Sequence, residues 1–154
     1  MYYSIDFGDF DMNGNFVSQA NTWEDWHLIP SSRPTITTPQ PKTNFVKIPG
    51  RQGTLDLSNY LHGNRPVYGA RTGSIEFYVM NGYENWMEIR RKMAAVLHGK
   101  RIKMVLEDEP DYYYEGRFKF TQWNSDQNFS RVTIEYQLNP FKYPVDLSNT
   151  EGVL

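Results

Sequence analysis

The stretch EDEPDYYYEGRF, residues 107–118, sets five carboxylates (Glu107, Asp108, Glu109, Asp111 and Glu115) around Tyr112, Tyr113 and Tyr114. Carboxylates so grouped can ligate a metal, act as an acid/base pair, or join aromatic rings in a sugar-binding platform. They can also be the turn and strand of a structural protein. A glycosidase pair needs two carboxyl groups in separate, differently tuned surroundings. Glu107 to Asp111 instead share one polar, proline-containing turn, where all are expected to be solvated and ionised. In the simpler reading Pro110 ends one strand and the acids cap a hairpin into YYYEGRF. Tyr113 then faces opposite to Tyr112 and Tyr114, so one face meets the core and the other meets solvent or a partner.

Other candidate chemistries are weaker. DFDMNGNFVSQA places Asp9, Asp11, Asn13 and Gly14 at the offsets of a calcium loop. The twelfth position, however, is Ala20, where that loop needs a bidentate Glu. The Asn13-Gly14 pair reads as a hairpin turn. His27, His62 and His98 have no metal-ligand spacing. PGRQG at 49–53 lacks the Gly-Lys-Ser/Thr ending of a phosphate loop, and no nucleophile-elbow pattern occurs. No catalytic residue, cofactor or metal ligand is expected, and the chain is not expected to be an enzyme.

The elements that would carry these residues are mostly strands. GSIEFYVM alternates, with Ile75, Phe77 and Val79 on one face and Glu76 and Tyr78 on the other. RVTIEYQL does the same through Val132, Ile134, Tyr136 and Leu138. RIKMVLE aligns Ile102, Met104 and Leu106. YYYEGRFKF aligns Tyr112, Tyr114, Phe118 and Phe120, with Gly116 at the same parity as a bulge or a close backbone approach. NFVKIP and YYSIDF are shorter strand candidates. One segment, Tyr83 to Leu97, has helical spacing through Trp86, Ile89, Met93, Val96 and Leu97. Asn81 is a candidate N-cap, Glu84 sits near the first turn, and Gly99 is a candidate stop. Trp86, Ile89 and Met93 are expected to lie on the sheet. Residues 30–43, with four prolines, read as an extended crossing. Residues 49–72 form a Gly- and turn-rich connection, long enough to suggest a functional or interfacial role. The expectation is a mainly β fold: an antiparallel β-sandwich or barrel-like domain with one flanking helix at about 83–97.

Composition excludes several classes. The chain has 154 residues, no cysteine and a formal net charge of −2. Disulfides and thiolate metal sites are therefore excluded. The 16 basic and 18 acidic residues are intermixed, unlike the basic excess of proteins that bind nucleic acid tightly. No apolar run approaches the roughly 18 residues of a membrane span. The N-terminus is acidic and lacks an apolar signal core, so synthesis in the cytosol is expected. The 11 Tyr, 9 Phe and 4 Trp residues suit half-buried strands and leave open a sugar-binding or interface role.

Four segments in order, NTWEDWHLIPSSRP (21–34), IPGRQGTLDL (48–57), ARTGSIEF (70–77) and LHGKRIKMVLEDEPDYYYEGRF (97–118), together resemble the distal tail proteins of long-tailed bacteriophages. The resemblance spans about residues 21–141. It implies a ring-forming domain over residues 1–141. Residues 8–20 depart from the family pattern by their length and are expected as an extra hairpin, and 142–154 read as a polar C-terminal tail. It also implies a homo-hexameric ring in the virion tail, made in the host bacterial cytoplasm. Such a ring joins the tail tube protein to the tail-tip hub or fibre protein, adjoins the tape measure protein, and lets DNA pass without membrane insertion. Many relatives carry a second, carbohydrate-binding-like domain after the equivalent of NPFKYP. Recruitment of receptor-binding proteins through such a domain is not expected here. Cyclic rings need two different matching patches. One is expected in 49–72, through Arg51, Leu55, Tyr60, Arg65, Tyr68 and Arg71. A channel that lets DNA slide should not be lined by the basic groups Arg90–Lys92 or Lys100–Lys103. The alternatives are a stand-alone carbohydrate-binding β-sandwich and a related tail tube protein.

Overall fold

The computed structural model describes residues 3–60, 63, 65–80, 86–125, 130–146 and 152–154, with backbone only for 86, 121–125 and 130. Among the described residues, ten strands and one helix follow in order: β1 (Ile5–Phe10), β2 (Phe16–Asn21), β3 (Leu28–Pro30), β4 (Phe45–Lys47), β5 (Thr54–Asp56), β6 (Arg71–Val79), α1 (Trp86–Val96), β7 (Arg101–Leu106), β8 (Glu109–Ser125), β9 (Ser130–Leu138) and β10 (Tyr143–Pro144). The main sheet runs β2-β1-β7-β8-β9-β6-β3, with β10 added to β8. Every strand pairing in it is antiparallel. The fold is mainly β and sandwich-like, as the alternation of apolar residues predicts.

The long strand β8 organises the two layers. Its first half pairs with β7, from Leu106↔Glu109 to Arg101↔Arg117, and its second half pairs with β9, from Gly116↔Leu138 to Ser125↔Ser130. Gly116 stands in both ladders at the crossover. A Cβ there would lie 2.2 Å from the Gln137 carbonyl oxygen, so only glycine lets β9 approach this closely. The inward faces share one core. Phe7 and Met104 from one half meet Phe77, Val132, Ile134 and Leu138 from the other, and Phe7 meets Phe118 edge-on at 5.2 Å. Ile89 and Met93 of α1, and Leu97 just after it, are buried in the same core. The helix therefore packs on its own sheet through the apolar spacing that predicts it. Gly99, at φ 72°, turns the chain out of the helix, and its N–H donates to the Phe118 carbonyl at 2.8 Å. The Trp86 side chain, the Asn81 cap and Glu84 lie outside the described residues.

Trp26, the largest fully buried side chain among the described residues, comes from a turn rather than a strand. Asn21 Oδ1 accepts from the N–H groups of Trp23 and Glu24, while Asp25 accepts from the Asn21 N–H at 2.7 Å. These reciprocal bonds satisfy the open donors at the start of a helical turn. His27, at φ 52°, ends the turn, and Leu28 returns its N–H to the Thr22 carbonyl at 2.7 Å. Trp26 is thereby driven inward against Phe7, with ring centroids 6.0 Å apart.

Two expectations change, at Pro110 and in 49–72, and two further pairings, of β3 and β10, join them. Pro110 lies within β8 rather than ending a strand. A proline is tolerated there, near a strand's start, where it interrupts little of the ladder. Residues 49–72 are not wholly irregular, because β5 pairs antiparallel with β4. β3 completes the sheet against β6. The segment from Lys142 is not a free tail, since β10 pairs with Tyr112 and Tyr113 and the Lys142 and Val153 backbones exchange two hydrogen bonds of 2.8 Å.

Candidate functional site

The acidic stretch does not converge on one chemical centre. Asp108 forms a two-pronged pair with Arg33, both contacts at 3.1 Å. Glu107 accepts the Ser4 N–H at 2.9 Å, Glu109 pairs with Lys142, and Glu115 meets Arg101 at 3.2 Å and Lys103 at 3.9 Å. Glu107 and Asp108 sit in the turn before β8, and Glu109 and Glu115 lie six residues apart along it, so each meets a different neighbour. The hydrogen bond to Arg33 holds the Asp108 carboxyl below the usual carboxylate range. Burial, with the Asp108 charge nearby, pushes the Tyr3 phenol up to about 12. Among the described residues no group of three His, Asp or Glu side chains could hold a metal ion.

The calcium-like offsets at 9–14 resolve into a turn. Asp11 Oδ1 accepts from the N–H groups of Asn13 and Asn15, both at 2.9 Å, and Gly14 adopts φ 80°. Asp9 binds Lys103 Nζ at 2.6 Å, and that hydrogen bond lowers its pKa. A lowered folded-state pKa contributes stability above the ordinary carboxylate value, and that stability is lost as pH falls through the lowered one. Because the Asp9 side chain is 59% exposed, solvent screening keeps its contribution under about 1 kcal/mol. Asp9→Asn should therefore cost a fraction of this at pH 6 and less at about pH 3, below the ordinary Asp value, with the whole of it gone only once pH is below the lowered folded-state value. Denaturant melts at the two pH values check this. An equal loss at both would mean that the pair contributes through packing and not charge.

Of the six residues assigned to an interface, five lie on or at the base of a projecting arm. Arg51, Tyr60 and Arg65 are exposed, and Leu55 and Tyr68 are half-buried. The arm is the β4–β5 hairpin, pinned by Asn44 N–H to Ser58 Oγ (2.7 Å) and Leu57 N–H to the Asn44 carbonyl (2.8 Å). Gly50 and Gly53, at φ 79° and 74°, make its tip. At its base Pro41 bridges Tyr68, and Lys42 N–H donates to the Val67 carbonyl at 2.7 Å. Every residue from 41 to 54 is exposed. Phe45 is 59% and Tyr60 75% accessible, a pattern that a soluble monomer seldom shows along one contiguous segment.

Arg71 departs from the expectation. It is buried in its own chain, donating Nε to the Pro140 carbonyl (2.9 Å) and Nη1 to the Thr37 carbonyl (3.2 Å), over the Tyr114 ring. It clamps the strap before the arm to the turn after β9, and is not surface available to a partner. Alternating burial along β6 could have flagged it, since Arg71 has the same parity as Ile75, Phe77 and Val79. The basic groups singled out in the sequence separate. Arg101 and Lys103 are paired to acids, Lys92 lies 3.4 Å from Glu88, and Arg90 and Arg91 stand exposed on the outer face of α1.

A second surface feature was not anticipated. The β1–β2 turn, the start of β8 and β10 enclose an open cleft of about 580 Å³, lined by Phe16, Pro110, Asp111, Tyr112, Pro144 and Asp146 among others. Beside it Phe10, Tyr113 and Tyr143 pack ring to ring at 5.1 and 5.9 Å. The rings come from strands distant in sequence, so no local pattern announces the cleft.

No family model matches the sequence, and no curated protein matches it. Among solved structures the chain is similar to the SPP1 Dit (gp 19.1) protein, described as a paradigm of the hub adsorption apparatus in phages that infect Gram-positive bacteria. The TM-score is 0.59 at 19% identity, over 94% of this chain and 53% of that one. The two share a fold, and this chain spans about half the length of that protein.

Proposed function

We propose that this chain is a structural component of the distal end of a bacteriophage tail, assembled as a closed hexameric ring. In this reading residues 1–141 form the ring body. The ring joins the tail tube protein to the tail-tip hub or fibre protein, adjoins the tape measure protein, and surrounds a channel through which DNA passes. The protein has no catalytic role and works in the virion tail after synthesis in the host cytoplasm. The observation that carries the reading is the shared fold with a phage hub protein over nearly the whole chain. The exposed arm supports it independently, because a heterologous ring needs a patch that the monomer leaves uncovered. So does the scatter of the acidic side chains into separate ion pairs.

Electron microscopy of the purified protein, or of tails that contain it, tests the proposal. The expected images are six-fold rings with a central channel. Monomers that bind glycan arrays and never form rings would favour a stand-alone carbohydrate-binding module instead.

A further inference from the structure

The arm and the cleft match each other in chemistry. Residues 41–66 carry four basic side chains (Lys42, Lys47, Arg51 and Arg65) against one acidic, Asp56, in a chain whose formal charge is −2. Lys47 and Arg51 form no ion pair among the described residues, and they flank a shallow concavity at the arm tip with Ile48 and Pro49. The cleft offers the reverse: Asp111 and Asp146, both exposed, set among Phe16, Tyr112, Pro110 and Pro144. The Asp111 carboxylate also has no ion-pair partner among the described residues. A hairpin of this length reaches on the order of 20 Å from its base, at about 3.3 Å per residue. That is enough to cross onto a neighbouring copy.

We infer that the cationic, apolar arm of one protomer seats in the acidic, aromatic cleft of the next, with Lys47 and Arg51 facing Asp111 and Asp146 and with Phe45 and Ile48 on the rings. The inference rests on the ring reading and names the two unlike patches that a cyclic assembly requires. Complementary charge fixes partner and register at such interfaces. The apolar contacts exclude water around the ion pairs.

Charge reversal tests it. The variants are Lys47→Glu with Arg51→Glu on the arm, and Asp111→Arg with Asp146→Arg at the cleft, each checked by circular dichroism for an unchanged fold. Either pair alone should weaken assembly at least roughly tenfold, by placing like charges together. Combining all four changes in one chain should restore the ring. A 1:1 mixture of the arm variant and the cleft variant should also form rings, because each reversed arm then meets a reversed cleft in alternation. Wild-type assembly should weaken as salt rises. Wild-type rings unaffected by either pair, or single-pair losses that neither the combination nor the mixture rescues, would overturn the arm-in-cleft contact and leave the ring reading standing. A wild-type protein that stays monomeric at high concentration would overturn both. If the cleft variant misfolds, the arm variant suffices: its exposed changes should weaken ring formation by the same roughly tenfold or more at unchanged thermal stability, and rings as stable as wild type would refute the inference.

Discussion

Replacing Trp26 with alanine should remove about 3–5 kcal/mol of folding stability, the usual cost of emptying a large aromatic site in a core. Trp26 is 1% exposed and lies against Phe7, which itself meets Phe118. The lost side chain therefore leaves a void where the two halves of the sheet face each other. Collapse is hindered on both sides. The turn that carries Trp26 is held by the Asn21 and Asp25 bonds and by Thr22, whose Oγ1 accepts the Ile5 N–H at 2.9 Å. At roughly 2–4 °C per kcal/mol for a chain of this size, the melting temperature should fall by roughly 6–20 °C. A shift of less than about 2 °C would mean that the turn moves in to fill the space and that the core does not depend on this ring.

The second large effect is expected at Gly116. One of its Cα hydrogens faces the backbone of β9, where an added methyl would meet Gln137 O at 2.2 Å and Leu138 Cα at 2.6 Å. Neither contact is the flexible end of a side chain, so relief requires β8 and β9 to part. They are already fixed on both flanks, by Arg117↔Gln137 and Phe118↔Tyr136 on one side and by the Ile102↔Gly116 pairing with β7 on the other. Gly116→Ala should therefore cost about 1–3 kcal/mol, the range for overpacking, and Gly116→Val more. Amide hydrogen exchange should show the damage locally, with protection lost first around 116–118 and 136–138. Unchanged stability in both variants would show that the two ladders separate more easily than their shared residue implies.

What the sequence disclosed follows from range. β6, β7, β9 and the core-facing side of β8 repeat every second residue over six or more positions, and Ile89 and Met93 of α1, continued by Leu97, recur at helical spacing. Such periodicity is local and survives without knowledge of partners. β3, β5 and β10 are two or three residues long, too short to hold a period, and they are strands only because β6, β4 and β8 lie alongside. Trp26 could not be placed inward from alternation, because a capped turn and not a strand aims it. The arm followed the same division. The Gly- and turn-rich composition of 49–72 pointed to an unusual connection, and the arm lies there. The inward parity of Arg71 was legible along β6, but its partners, Thr37 and Pro140, were not, being set by the fold at separations of 34 and 69 residues. The cleft stayed invisible for the same reason, since its walls come from three distant segments.

The central claim is that copies of this chain close into a ring, and its most direct test is the mass of the assembly. Native mass spectrometry across a concentration series should show a discrete species of six 18.1 kDa chains, about 109 kDa. Intermediates should be sparse, because closing the cycle gives the last copy two interfaces at once. A spectrum holding only monomers or dimers at every concentration, both for the free protein and for material released from assembled tails, would contradict the account.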